Sequence, residues 1–170
     1  MNIQNYHSKT ALYYEVDNSY HQSVMMLLAQ KDLHVNEPDK TGSMPLHYAS
    51  TCHSLSEIPL FLSHEDIEIN MEVNQGMTPL QYAIDSNRVD AINSLLNRTD
   101  IDINTTDQYI HTPLRLCVEE CRPNCIEALL THRDININIK DKYRRPSIEI
   151  AKLLTVATCD ENYFKYNKKI

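Results

Sequence analysis

The chain has 170 residues, a net charge of −7, five cysteines and only two glycines. Its length fits a single domain, residues 1–170, and an acidic balance without a basic stripe argues against a nucleic-acid partner. No apolar run approaches the roughly 20 residues of a membrane-spanning helix, and an odd cysteine count fits a reduced compartment better than a disulfide framework.

The charge is uneven. Lys9, Lys31 and Lys40 stand against eleven acids within residues 1–85, whereas residues 86–170 hold thirteen bases and twelve acids. A gradient of this kind suits an oriented encounter with a partner.

In chain order, residues 1–7 are polar and do not read as a secretory leader, so the expected location is cytoplasmic, in the producing cell or in a host. Next comes Ser8-Lys9-Thr10-Ala11-Leu12-Tyr13-Tyr14-Glu15. The same register returns 34 residues later as Gly42-Ser43-Met44-Pro45-Leu46-His47-Tyr48-Ala49. It returns again as Gly76-Met77-Thr78-Pro79-Leu80-Gln81-Tyr82-Ala83, Ile110-His111-Thr112-Pro113-Leu114-Arg115-Leu116-Cys117, and Arg144-Arg145-Pro146-Ser147-Ile148-Glu149-Ile150-Ala151. Each copy reads as a turn followed at once by a helix start. Gly42 and Gly76 permit φ > 0, a Thr before the proline caps the helix, and proline at the first helical position loses no bond. Met44 stands where Thr caps the other copies, so Met44→Thr is expected to stabilise by about 1 kcal/mol.

A second helix follows in each unit. Val24, Ile58, Ile92 and Ile126 correspond, as do Leu27, Phe61, Leu95 and Leu129, and Leu28, Leu62, Leu96 and Leu130. Their i, i+3, i+4 spacing is the apolar stripe of an amphipathic helix. Ser54 and Glu57 form a capping-box pattern, and Pro59 predicts a late or bent start for that helix. An alternating arm closes each unit, as in Asp66-Ile67-Glu68-Ile69-Asn70 and Asp100-Ile101-Asp102-Ile103-Asn104. A fixed period of this size marks a stacked repeat array.

The Thr-Pro-Leu-His-x-Ala block, second helix and Asn-ended arm resemble the ankyrin repeat. The resemblance implies an all-α ankyrin-repeat solenoid of about five stacked repeats, near 3–36 (a cap), 37–70, 71–104, 105–138 and 139–170 (a cap). Here each unit has 34 residues, one more than the family's 33. The extra residue falls after the second helix, in segments such as Ser63-His64-Glu65, and predicts a longer helix end or wider turn there. Ser19, His53, Asn87, Cys121 and Thr155 stand where the family has its inter-helix Gly. Asn87 tolerates a left-handed backbone best.

The resemblance also implies a function: a non-enzymatic module, expected to be a monomer without cofactor, that binds one protein partner on its concave face. Carried over position by position, that face includes Gln75, Met77, Gln108, Tyr109, His111, Glu119, Lys142, Tyr143 and Arg145. Tyr109, His111, Tyr143 and Arg145 are its expected anchor, since binding hot spots favour Tyr and Arg. Inhibitor, immunity protein and host-targeting effector are the roles that suit such a small module. The repeated asparagines Asn36, Asn70, Asn104 and Asn138 are similar to ankyrin asparagines that an oxygenase hydroxylates, although each is also suited simply to bonding turn backbone. His47 matches the family's structural histidine. Cys117, Cys121 and Cys125, spaced by four, offer a competing metal- or redox-active reading, against which stands the tendency of free cysteine to pack as a small buried hydrophobe.

Overall fold

A computed structural model describes residues 2–52, 57–140, 143, 144 and 146. Eight helices are found among them: α1 (Ala11–Asp17), α2 (His21–Leu28), α3 (Pro45–Thr51), α4 (Glu57–Leu62), α5 (Pro79–Asp85), α6 (Val89–Leu96), α7 (Pro113–Glu119) and α8 (Pro123–Leu130). They form four antiparallel pairs. The first helices α1, α3, α5 and α7 pack in one row and the second helices α2, α4, α6 and α8 in another, each touching its counterpart one repeat away. The fold is an all-α solenoid, and one continuous core runs between the two rows. Most of the fifth unit expected at 139–170 lies outside the described residues, including Lys142, Arg145 and Leu153.

Local sequence accounts for these helices. Pro45, Pro79 and Pro113 occupy the first turn, and Thr78 and Thr112 accept bonds from the N–H groups of Gln81 and Arg115. The helix pairs turn tightly at Ser19, Asn87 and Cys121, whose φ angles are 55°, 55° and 51°. These are three of the positions read as left-handed; His53 and Thr155 lie outside the described residues. The turns are held by Tyr20 N–H to Glu15 C=O, Arg88 N–H to Ala83 C=O and Arg122 N–H to Cys117 C=O, each 2.8 Å.

The turn after the second helix has a recurring bond pattern. His64 N–H bonds Phe61 C=O and Ile67 N–H bonds His64 C=O, and the same pair of bonds recurs at His132 and Ile135. Beyond it, the repeated asparagine ties each arm to the next. Asn70 donates to Asp100 C=O (2.7 Å) and accepts from Asp102 N–H (2.8 Å); Asn2, Asn36 and Asn104 do the same one repeat apart. Both ends of each amide are used in this way, which gives these asparagines a structural reason to recur.

Two expectations need correction. Leu130, assigned to the apolar stripe, is exposed, and Leu28, Leu62 and Leu96 are only half-buried, because the third stripe position lies at the edge of the outer row. Met44 is the N-cap of α3 and makes no side-chain cap bond, as expected, but its side chain is in the core, 1% exposed, so replacing it by Thr does not simply add a cap. Ser54, the other half of the expected capping box, lies outside the described residues, as do residues 53–56, where a late start of α4 would show. Glu57 is 0% exposed, neither of its carboxyl oxygens has a hydrogen-bond partner among the described residues, and Pro59 lies within the described part of α4.

Candidate functional site

The hairpin tips carry the first half of the concave face. Asn5, Asp39 and Asp107 open successive tips, and the side-chain oxygen of each accepts two backbone N–H groups of its own tip: His7 and Lys9, Thr41 and Ser43, Tyr109 and His111. Val73 opens the third tip and keeps only the backbone bonds, from Val73 N–H to Met77 C=O and from Gly76 N–H to Val73 C=O. Adjacent tips are joined by Lys40 N–H to His7 C=O, Asn74 N–H to Thr41 C=O and Gln108 N–H to Gln75 C=O. The tips therefore form a stiff comb, which lowers the ordering cost of any partner bound along it.

At the crest of each tip one residue adopts positive φ. Gly42 and Gly76 do so at 78° and 75°, and Ser8, Ile110 and Arg144 at 60°, 64° and 62°. At Gly42 and Gly76 an added Cβ would lie 2.7 Å from Asn74 Oδ1 and 3.0 Å from Gln108 N, so glycine is needed twice over. Ile110 is the outlier, because a β-branched residue at positive φ is strained. It lies between Tyr109, 53% exposed, and His111, whose rings are 5.8 Å apart. His111 Nδ1 is 3.3 Å from the Asp107 carboxylate and its Nε2 is 3.9 Å from Glu119, which also accepts from Arg115 Nε at 2.7 Å.

The inner helices carry the second half. The residue two places after Leu in each first helix is Tyr14, Tyr48, Tyr82 or Leu116. Tyr48 donates to Asp39 at 2.8 Å, Tyr82 lies 3.4 Å from the Ser43 hydroxyl, and the Tyr82 ring meets His47 edge-on at 5.1 Å. A groove of about 530 Å³ opens between the second and third tips, lined by Lys40, Thr41, Ser43, Tyr48, Thr51, Val73, Asn74, Gln75 and Tyr82. Burial opposes ionisation of Asp39, but bonds from Thr41, Tyr48 and Ser43 outweigh it and hold this carboxyl below the ordinary carboxylate range.

Of the expected site residues, Gln75 and Gln108 are neighbours through the tip ladder, His111 and Glu119 come together, and Tyr109 stands beside them. Met77 contributes its carbonyl to His47. Tyr143, 54% exposed, occupies the next tip, and Lys142 and Arg145 lie outside the described residues. Besides the Tyr109 cluster expected from the sequence, the inner-helix tyrosines form a second aromatic row on this face, at the variable position of the repeat signature. Their signal was available: three tyrosines 34 residues apart beside core leucines.

The histidine and cysteine positions act as structure. Met44 N–H donates to His47 Nδ1 at 3.1 Å, and His47 Nε2 reaches Met77 C=O at 3.3 Å. Cys117 and Cys125 are buried, and Cys121 forms the left-handed turn. A thiol–thiol hydrogen bond to Cys125, then burial, pushes the Cys117 thiol up, so it stays protonated. Among the described residues no three His, Cys, Asp or Glu side chains gather as a metal site.

A family model described as ankyrin repeats (3 copies) matches residues 15–107 and 60–141. This chain belongs to the ankyrin-repeat family. Its three copies make the count of about five ankyrin units slightly high. Ankyrin repeats are typically non-enzymatic, and the family match supports a general role for this chain as a protein–protein interaction module. No curated protein matches it significantly. Among the described residues no helix is long and apolar enough to cross a membrane.

Proposed function

We propose that this ankyrin module is a cytoplasmic monomer that binds a single protein partner along its concave face and catalyses nothing. Tyr109, His111, Tyr143 and Arg145 anchor the partner, and Gln75, Met77, Gln108, Glu119 and Lys142 are its further contacts. The observation that carries this reading is Ile110. Two earlier repeats relieve the crest of the tip with glycine, whereas this one keeps a strained, 44% exposed isoleucine between the exposed ring of Tyr109 and the half-buried ring of His111. Backbone strain retained at an exposed position is characteristic of binding sites. A small module of this kind acts by occupying its partner, as an inhibitor, immunity protein or effector does.

The test begins with a partner recovered from the native cytosol and purified. Tyr109→Ala and Tyr143→Ala are each expected to weaken its affinity by about 1–2 kcal/mol. Losses below about 0.5 kcal/mol for both variants remove this cluster as the anchor.

A further inference from the structure

The repeat geometry supplies its own template for what the groove beside Tyr82 accepts. One repeat earlier, the equivalent position is already filled. The Lys9 ammonium lies 4.2 Å from the centroid of the Tyr48 ring. Advancing every residue by 34 converts Lys9 into Ser43 and Tyr48 into Tyr82. Ser43 is too short to cover the Tyr82 ring as Lys9 covers Tyr48, and the groove opens there.

Three of the five hydroxyls lining this opening have their protons committed elsewhere. Thr41 Oγ1 and Tyr48 Oη donate to Asp39 at 2.6 and 2.8 Å, and Thr51 Oγ1 donates to the Tyr48 carbonyl at 2.9 Å. Each hydroxyl carries one proton, so these oxygens offer only lone pairs to a ligand. Lys40, which lines the groove, holds its ammonium 3.6 Å from the centroid of the Tyr6 ring. An electron-rich ring face with acceptor oxygens around it attracts a cationic side chain. The field agrees in sign, since residues 1–85 carry eleven acids against three lysines.

We propose that this groove receives an arginine or lysine side chain of a basic partner segment, seated over Tyr82 as Lys9 is seated over Tyr48. The proposal rests on the reading of the concave face as a protein-binding surface, and adds the chemistry of what that surface selects.

The probes are acetyl-Gly-Arg-Gly-amide and acetyl-Gly-Glu-Gly-amide, titrated separately into the full chain while the Tyr48 and Tyr82 ring resonances are followed by NMR. The arginine peptide is expected to produce saturable shifts at Tyr82 at about tenfold lower concentration than the glutamate peptide. Ser43→Lys should plug the groove from within and abolish the shifts; the equivalent positions hold Lys9, Met77 and His111, so a long side chain fits there. Ser43→Ala leaves the groove open and should keep them. Equal shifts from both peptides, or arginine shifts that persist in the Ser43→Lys protein, overturn the proposal. The Tyr109 and Tyr143 variants lie outside the groove, so failure of that anchor leaves the peptide titration unchanged.

Discussion

The Nε2 of His47 reaches the carbonyl oxygen of Met77, 3.3 Å away in the next repeat, while the Nδ1 of the same ring accepts the N–H of Met44. Gln81 makes the same two contacts one repeat on: its Oε1 accepts from Thr78 N–H at 2.9 Å and its Nε2 donates to His111 C=O at 3.0 Å. One bridge is thus built by a titratable group and the other by a neutral amide.

That difference predicts a pH dependence. Burial lowers the His47 pKa from 6.5 to about 4, so the folded chain holds a neutral ring in a range where the unfolded chain binds a proton. Stability from this site is complete above about pH 6.5, falls as pH drops from there toward 4, and totals about 3 kcal/mol. His47→Gln keeps both bonds and removes the proton. Urea denaturation from pH 7 to pH 4 should show a flatter decline for the variant; equal declines would rule His47 out as the source.

Met44→Thr now carries the opposite sign from the sequence expectation. The new hydroxyl gains a cap worth about 1 kcal/mol. It replaces a fully buried methionine, and truncating such a side chain costs about 2 kcal/mol or more in transfer and cavity terms. A net loss of about 1–2 kcal/mol is expected in the denaturation midpoint. A higher midpoint would mean that the core closes around threonine.

Ile110→Gly should stabilise the free protein. Relief of a strained positive φ is worth about 1–2 kcal/mol, and the greater freedom of glycine in the unfolded chain returns about 0.5–1 kcal/mol of it. The expected gain is a few tenths to about 1 kcal/mol, read by calorimetry, with weaker partner binding alongside. A lower melting temperature would refute strain at this residue.

Glu57→Ala should also stabilise. The equivalent residues in the next two repeats are Ala91 and Cys125, and the Glu57 carboxylate is buried with both oxygens unbonded. Removing a buried carboxyl group whose oxygens are left unpaired is worth about 1–3 kcal/mol. A variant that unfolds at lower urea would show that Glu57 serves the fold.

The array itself was legible before any coordinates. Thr78, Pro79 and Gln81 act through bonds between near neighbours, so their spacing on the chain already states their geometry. The left-handed turns at Ser19, Asn87 and Cys121 follow from the same register. The inner tyrosines were present in the same lines of sequence but carried no instruction about which way they faced. Their side became evident only when α3 and α5 were packed and the groove beside Tyr82 opened.

Period, helix order and turn positions are determined by the sequence alone, because each depends on contacts within a few residues and then repeats unchanged. Burial of Met44, isolation of the Glu57 carboxylate and the seating of Lys9 over Tyr48 were decided only by the tertiary structure. Each of these depends on which side chain the neighbouring repeat sets opposite, a pairing across more than thirty residues that no local pattern encodes.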